Sequence, residues 1–310
     1  MGGRSSPEAF SHEVLVYAGL SDLTDRAAAF VREGLDQGEA VMVMVVGPKI
    51  TPMREKLGAD AEQVDFVDME IVGRNPACII PAWQAFYSEP RLRPARGIDE
   101  PIWCGRSDPE LLECQLHEAL INLAFSGARG RLLCPYDSEA LEPQVIGEAR
   151  RCHPLINQSP AVAVNGACEQ RCWLHARFQE PLGEPARAAH TVGFDRATVT
   201  AVRRVVSEKA AASGLRPERA DVAALAAHEV AVNSVRHGGG TGTIRMWSES
   251  DALVVEVWDA GLITDPLVGL RQPRPESDGG RGLWLVNHLT DLSQVRTDDT
   301  GTTVRFTVSA

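Results

Sequence analysis

Glu229, Asn233 and His237 stand four residues apart in the segment Ala227-His228-Glu229-Val230-Ala231-Val232-Asn233-Ser234-Val235-Arg236-His237-Gly238, whose pattern predicts a helix. At positions i, i+4 and i+8 the side chains drift only about 40° per step around a helix, so all three share a face. A carboxylate, an amide and an imidazole so placed can converge on one ligand. The carboxylate suits a general base and the amide oxygen suits a hard cation. His237 either joins that ligand or caps its own helix beside Gly238. A solvated helix face is the competing reading of this segment alone, and the downstream motifs bear on the choice.

After Gly238-Gly239-Gly240, the runs Thr243 to Trp247 and Ala252 to Trp258 alternate in polarity and predict neighbouring strands. The second leads into Asp259-Ala260-Gly261, a carboxylate beside a backbone that a flat ring can approach closely. Residues 262–278 are too rich in Pro, Gly and charge for a core element and predict a lid. The lid closes with Gly279-Gly280-Arg281-Gly282-Leu283, which opens into the apolar-periodic start Trp284 to Leu289. A glycine-rich turn feeding a helix N-terminus is an anion site suited to polyphosphate. Gly301 to Val308 then predicts a final strand whose first residues bring a hydroxyl to the same end.

These residue types suit nucleotide chemistry. Mg²⁺ keeps several waters, so the Asn233 amide oxygen plus phosphate oxygens can complete its shell. Phosphoryl transfer depends mostly on positioning and charge neutralisation, with a carboxylate such as Glu229 orienting the attacking hydroxyl. Arg281 either offsets charge on a γ-phosphate or is a solvated surface arginine.

In the order of these motifs the chain resembles the GHKL ATPase family, and within it the bacterial anti-sigma-factor serine/threonine kinases. The resemblance covers about residues 186–310, including a helix predicted over Asp195 to Ala212. It implies a Bergerat-type α/β sandwich that binds ATP and Mg²⁺. Glu229 would be the catalytic base and Asn233 the Mg²⁺ ligand. Asp259 and Gly261 would meet the adenine, Gly280, Arg281, Gly282 and Leu283 would form the phosphate loop, and His237 and Thr303 would complete the pocket. The first glycine box of that family commonly reads Asp-x-Gly-x-Gly, and here its last position is Ile263. The implied partners are a sigma factor and an anti-anti-sigma antagonist protein, with homodimer formation left open.

At 310 residues the chain suits two domains, each able to bury a core. A net charge of −11 argues against a nucleic-acid-binding surface over the whole chain. The first residues are polar, and the longest apolar run, Ala40 to Val46, has strand length, so neither secretion nor a membrane is expected and the cytoplasm is. Seven cysteines without a framework agree with a reducing compartment. Cys168, Cys172 and His175, with Cys152 or His153, have a spacing that a metal could use. Buried free thiols are the preferred reading, because paired Cys-x₂-Cys knuckles are missing.

Gln179-Glu180-Pro181-Leu182-Gly183-Glu184-Pro185 reads as a linker, giving a first domain over 1–180 and a second over 186–310. In the first, strands are predicted at Glu13 to Tyr17, Ala40 to Val46, Gln63 to Val67, Pro101 to Cys104 and Arg131 to Pro135. Helices are predicted at Asp22 to Gln37, Thr51 to Leu57, Ala77 to Tyr87, Pro109 to Phe125 and Ser138 to Cys152. Such alternation predicts a mostly parallel sheet covered by helices. Val46-Gly47-Pro48-Lys49 lacks phosphate-loop spacing and reads as a turn. His117-Glu118-Ala119-Leu120-Ile121-Asn122 repeats the Glu-x₃-Asn spacing, and without a following glycine lid it reads as coincidence.

Ser11-His12 leading to Tyr17, Glu100-Pro101-Ile102-Trp103, Tyr136-Asp137 and Cys152-His153-Pro154 resemble the MEDS sensory family, which implies a RecA/KaiC-like fold without a working phosphate loop and a bound small molecule. His12 either faces that ligand or satisfies backbone groups beside the first strand. Together the halves suggest a sensory domain controlling an ATP-dependent serine/threonine kinase. The alternative is a non-catalytic ATP-gated module that sequesters a partner. A histidine kinase fits less well, since His190 lies in a linker region with no dimerisation helix.

Overall fold

The computed structural model describes residues 9–88, 94–158, 161–166, 170–185, 188–273 and 280–310. The chain divides into two compact units, Met1–Leu174 and His175–Ala310. It is a mixed α/β protein with one mostly parallel and one antiparallel sheet.

The first unit is built on β1 (Phe10–Tyr17), β2 (Ala40–Val45), β3 (Val64–Asp68), β4 (Ala95–Asp99), β5 (Gly130–Asp137), β6 (Leu155–Asn157) and β7 (Val162–Val164). Their order is β3-β2-β4-β5-β1-β6-β7, parallel throughout except for β7 against β6. The connecting helices include α1 (Gly19–Asp36), α2 (Gly47–Leu57), α3 (Met69–Val72), α4 (Ile79–Ser88), α5 (Asp108–Ala124) and α6 (Pro143–Cys152), and α7 (Gln170–Gln179) follows. The near-continuous apolar run of β2 suits a strand covered on both faces. Helix α5 starts where its sequence dictates, since the Glu110 carboxylate accepts the Ser107 backbone N–H at 2.8 Å and Pro109 sits in the first turn.

One strand lies elsewhere than its sequence suggests. Pro101 to Cys104 is irregular, and the strand is β4, Ala-Arg-Gly-Ile-Asp, one segment earlier. Every residue of β4 is buried. Arg96 is fully buried because Glu39 takes its Nε–H at 2.5 Å and Phe30 O its Nη1–H at 2.9 Å. Gly97 leaves room for the Trp83 ring. Paired charge and missing side chains thus hide a central strand from a polarity pattern.

The second unit has β8 (His190–Asp195), α8 (Val202–Ala212), α9 (Pro217–His237), β9 (Thr241–Glu249), β10 (Ala252–Asp259), α10 (Arg281–Leu289), β11 (Leu292–Asp298) and β12 (Gly301–Ser309). Its sheet is antiparallel in the order β11-β12-β10-β9-β8. Helix α9 packs on β9, β10 and β12, while α8 and α10 pack against α9. Its buried face is mostly alanine, Ala220, Ala223, Ala224, Ala227 and Ala231 with Val230, which brings its backbone close to the sheet. Two strands of this unit, β8 and β11, have no sequence counterpart, as β6 and β7 have none in the first. His190 opens β8 and is exposed rather than lying in a linker, and Asp195, expected to start a helix, ends β8 instead. Strand β11 carries Ser293, Gln294 and Arg296 buried, which erases the expected alternation.

Candidate functional site

The Glu229, Asn233 and His237 stripe runs along α9 at the margin of its alanine face, with Glu229 and Asn233 partly buried and His237 exposed in the last helical position. Asn233 and His237 line a cavity of about 250 Å³ between α9, the end of β10, α10 and the start of β12. Val230, Ile263, Val268, Leu283 and Val304 supply apolar walls, and Asp259 is the one carboxylate among its described lining residues. An apolar slot with a single carboxylate suits a flat heteroaromatic ring that carries a donor. Glu229 lies one turn before Asn233, beyond the lining.

Backbone packing fixes the end of β10. The Gly261 N–H donates to Asp259 Oδ1 at 2.8 Å, leaving Oδ2 for a ligand. A Cβ on Gly238 would overlap the Asp259 carboxylate, and one on Gly261 would stand 2.6 Å from Gly238 Cα. The helix end and the strand end therefore meet only because both positions are glycine. Thr302 continues the floor, its hydroxyl donating to Gly261 O at 2.8 Å and lying 3.1 Å from Thr297 Oγ1. The Ile263 N–H donates to Thr297 Oγ1 at 3.4 Å.

The opposite wall is the start of α10. Gly280 is its N-cap at φ +84°, a left-handed conformation that suits glycine, and contributes no side-chain cap. A helix start of this kind suits an anion. Gly282 is buried, and a Cβ there would stand 2.7 Å from the Asn233 amide nitrogen. The glycine turn thus brings the anion-binding helix end against the amide of α9. Arg281, exposed, is the first residue of α10, and Leu283 lines the cavity.

Thr303 is a correction. In the β10–β12 register Thr302 pairs with Asp259 and Thr303 with Trp258. Successive strand residues point to opposite faces, so Thr302 reaches the cavity while Thr303 shares the outward side of Trp258, which is 40% exposed. Among the residues that sequence reasoning passed over are Gly238, Thr297 and Thr302, together with the apolar lining residues Val230, Leu262, Val268 and Val304. The two-residue period of β12 points to Thr302 only once its pairing with Asp259 is known from the structure. The expected lid is described over 262–273, where Leu267 is buried and Asn287 Nδ2 donates to Gly269 O at 2.9 Å, so this part packs on α10. Residues 274–278 and Gly279 lie outside the described residues.

In the first unit His12 is fully buried within a polar cluster. Its Nε2 lies 3.1 Å from Glu118 Oε2 and 3.2 Å from Cys134 Sγ, and its Nδ1 lies 3.2 Å from Asn122 Oδ1. His153 Nε2 is 3.2 Å from the same Glu118 oxygen. The Glu-x₃-Asn spacing at Glu118 and Asn122 serves another purpose than in the second unit, since both side chains close around His12. Burial, then the neighbouring His153, pushes the His12 imidazole down to about 4. Burial pushes the Glu118 carboxyl up, but His153 and His12 outweigh it and hold the group well below the usual range. Of the other cysteine and histidine candidates, Cys152 is buried, Cys172 and His175 are exposed, and Cys168 lies outside the described residues. Cys114, Cys134 and Cys152 are buried, whereas Cys104 and Cys172 are exposed.

An antiparallel sheet covered by helices, with a helix amide and a glycine turn around an apolar slot, defines a GHKL-like ATP-binding domain. Residues 193–308 match the histidine kinase-like ATPase domain family, and residues 11–154 match MEDS, the methanogen/methylotroph DcmR sensory domain. The chain therefore carries a MEDS sensory domain followed by a histidine kinase-like ATPase domain, the organisation of a signalling regulator. No curated protein matches the chain. Among the described residues, no helix is long and apolar enough to cross a membrane.

Proposed function

We propose that this chain is an ATP-dependent protein kinase of the anti-sigma-factor type, which phosphorylates a serine or threonine of an antagonist protein and sequesters a sigma factor under control of its sensory domain. The observation that carries this reading is the meeting of Gly282 with Asn233, which joins the anion-binding start of α10 to the helix that bears Glu229. Asp259 would read the adenine amino group. Glu229, one turn before Asn233 on α9, would take the proton of the attacking hydroxyl. Asn233 offers a hard oxygen beside the anion site, which fits Mg²⁺, and the ion would neutralise phosphate charge there. The strand order of the first unit and its antiparallel β7 support a RecA/KaiC-like sensory domain.

Ile263 favours a second reading. It stands where the related glycine box has its second glycine, and it fills part of the cavity wall. An ATP-gated module that holds a partner without transferring phosphate accommodates that bulk. Incubation with labelled ATP, Mg²⁺ and the antagonist proteins encoded nearby, followed by mapping of the label, decides between them. Label on a partner hydroxyl supports the kinase. Tight ATP binding that changes partner affinity without transfer overturns it in favour of the module.

A further inference from the structure

The cluster around His12 has a hydrogen-bond arithmetic that does not close. Asn122 Nδ2 donates to Glu118 O at 3.2 Å and to Cys152 O at 3.1 Å, which fixes the amide so that its oxygen faces His12 Nδ1. An oxygen only accepts, so His12 Nδ1 carries the ring proton and Nε2 presents a lone pair. His153 Nδ1 donates to Ala149 O at 2.7 Å, so in the neutral ring, the form that binds a metal, Nε2 presents a lone pair. The Tyr136 hydroxyl donates to Glu118 Oε1 at 2.8 Å, leaving Oε2 for the cluster. With both rings neutral, His12 Nε2, His153 Nε2 and Glu118 Oε2 are three acceptors facing one another, and the Cys134 thiol is the one donor among the four groups. His153 Nε2 is buried with no hydrogen-bond partner despite its 3.2 Å approach to Glu118.

We propose that His12, Glu118, Cys134 and His153 form a closed binding site for one divalent transition-metal ion, with Zn²⁺ the ion that its two nitrogens, one oxygen and one sulfur best fit. The four donor atoms lie within 4.8 Å of one another, and the shortest separations are 3.1 and 3.2 Å. Tetrahedral zinc with bonds of roughly 2.0–2.3 Å needs ligand-to-ligand edges of roughly 3.3–3.8 Å, so small adjustments close the shell. The outer contacts are those that metal-binding side chains require. Each histidine turns its second nitrogen to an acceptor, and the carboxylate has its second oxygen held by a hydroxyl.

Sequence alone scatters these residues over 142 positions, and the fold gathers them. His12 on β1 and Cys134 on β5 project from the same face because β1 and β5 run parallel with Val14 opposite Cys134. Glu118 and Asn122 stand one turn apart on α5, and His153 caps the end of α6. All four ligands are at most 1% exposed, so the ion sits without a bound water and exchanges slowly. Binding by Cys134 releases its thiol proton to solvent. What His12 touches is then the ion, and an organic effector would meet the first unit elsewhere.

The test is made on the full chain, purified without an affinity tag or added chelator. Elemental analysis should find one zinc per chain. After replacement by Co²⁺, the visible spectrum should show tetrahedral bands with a thiolate charge-transfer band. Cys134→Ser should remove the charge-transfer band, and His153→Gln should lower the metal content at least tenfold. Cys104→Ser, at an exposed thiol, should change neither. Should the ligand variants fail to fold, X-ray absorption of the parent decides, with sulfur and histidine in the first coordination shell expected. A parent that holds no stoichiometric metal after purification and gives no tetrahedral spectrum with Co²⁺ overturns the site. So does unchanged metal content in folded Cys134→Ser and His153→Gln.

Discussion

Asp259 is held by its neighbours before any nucleotide arrives, because Gly261 occupies Oδ1 and Gly238 leaves the carboxylate its space. Asp259→Asn should therefore preserve the fold and weaken ATP binding by about 1.5–3 kcal/mol, the range of a hydrogen bond to a charged group. Calorimetric titration checks this, and undiminished affinity would remove Asp259 from the site. Asn233→Ala should weaken ATP binding in Mg²⁺ more than in its absence, and equal losses would refute the ligand role. Glu229 belongs to the transition state more than to the bound nucleotide. Glu229→Ala should keep ATP and partner binding and lose transfer by about 10²–10⁴-fold in a single-turnover assay. Equal transfer by parent and variant would mean that another group acts as base. Asn233 and Asp259 were legible as cavity-lining residues because each chemical type sits in a local motif. Thr302 was not, since its role depends on which face of β12 meets Asp259, and a one-residue shift exchanges the faces.

At the scale of elements, legibility followed polarity. Strand β2 and helix α9 declare themselves by apolar pattern, whereas β4 and β11 bury polar or charged side chains and do not. Arg96 is the clearest case, because its partners Glu39 and Glu33 lie 57 and 63 residues away in sequence. Arg96→Met should destabilise the first unit by about 3–5 kcal/mol, since it leaves Glu39 buried and unpaired. Urea unfolding measures this, and adding Glu39→Gln should recover part of the loss. A single variant as stable as the parent would show that the pair contributes nothing. The same blindness concealed the histidine cluster. Glu118 reads as one more polar position of α5, yet α5 turns it inward against β1 and β5.

At the scale of the whole molecule, the two halves have separate cores. One gathers Leu15, Val31, Val43 and Ile98 from the first unit, and the other gathers Val230, Val255, Val286 and Phe306 from the second. The candidate nucleotide cavity draws all its described lining from the second. A fragment from about Pro185 to Ala310 should therefore bind ATP alone, and a fragment from Met1 to about Glu180 should not. In the intact chain, ATP with Mg²⁺ at a hundred times its dissociation constant should stabilise the second unit by about 2.7 kcal/mol. Scanning calorimetry should then show that unit's transition moving upward on titration, matched by the same shift in the isolated C-terminal fragment. The first unit lacks a glycine-rich phosphate loop after β2, where Val46-Gly47-Pro48-Lys49 instead starts α2 and commits Lys49 Nζ to Glu100 at 2.5 Å and Tyr17 at 2.8 Å. A lysine so engaged has no free charge for a phosphate, so the transition of the N-terminal fragment should stay where it is. Saturable ATP binding by that fragment would move the nucleotide site, and with it the kinase reading, into the wrong half of the chain.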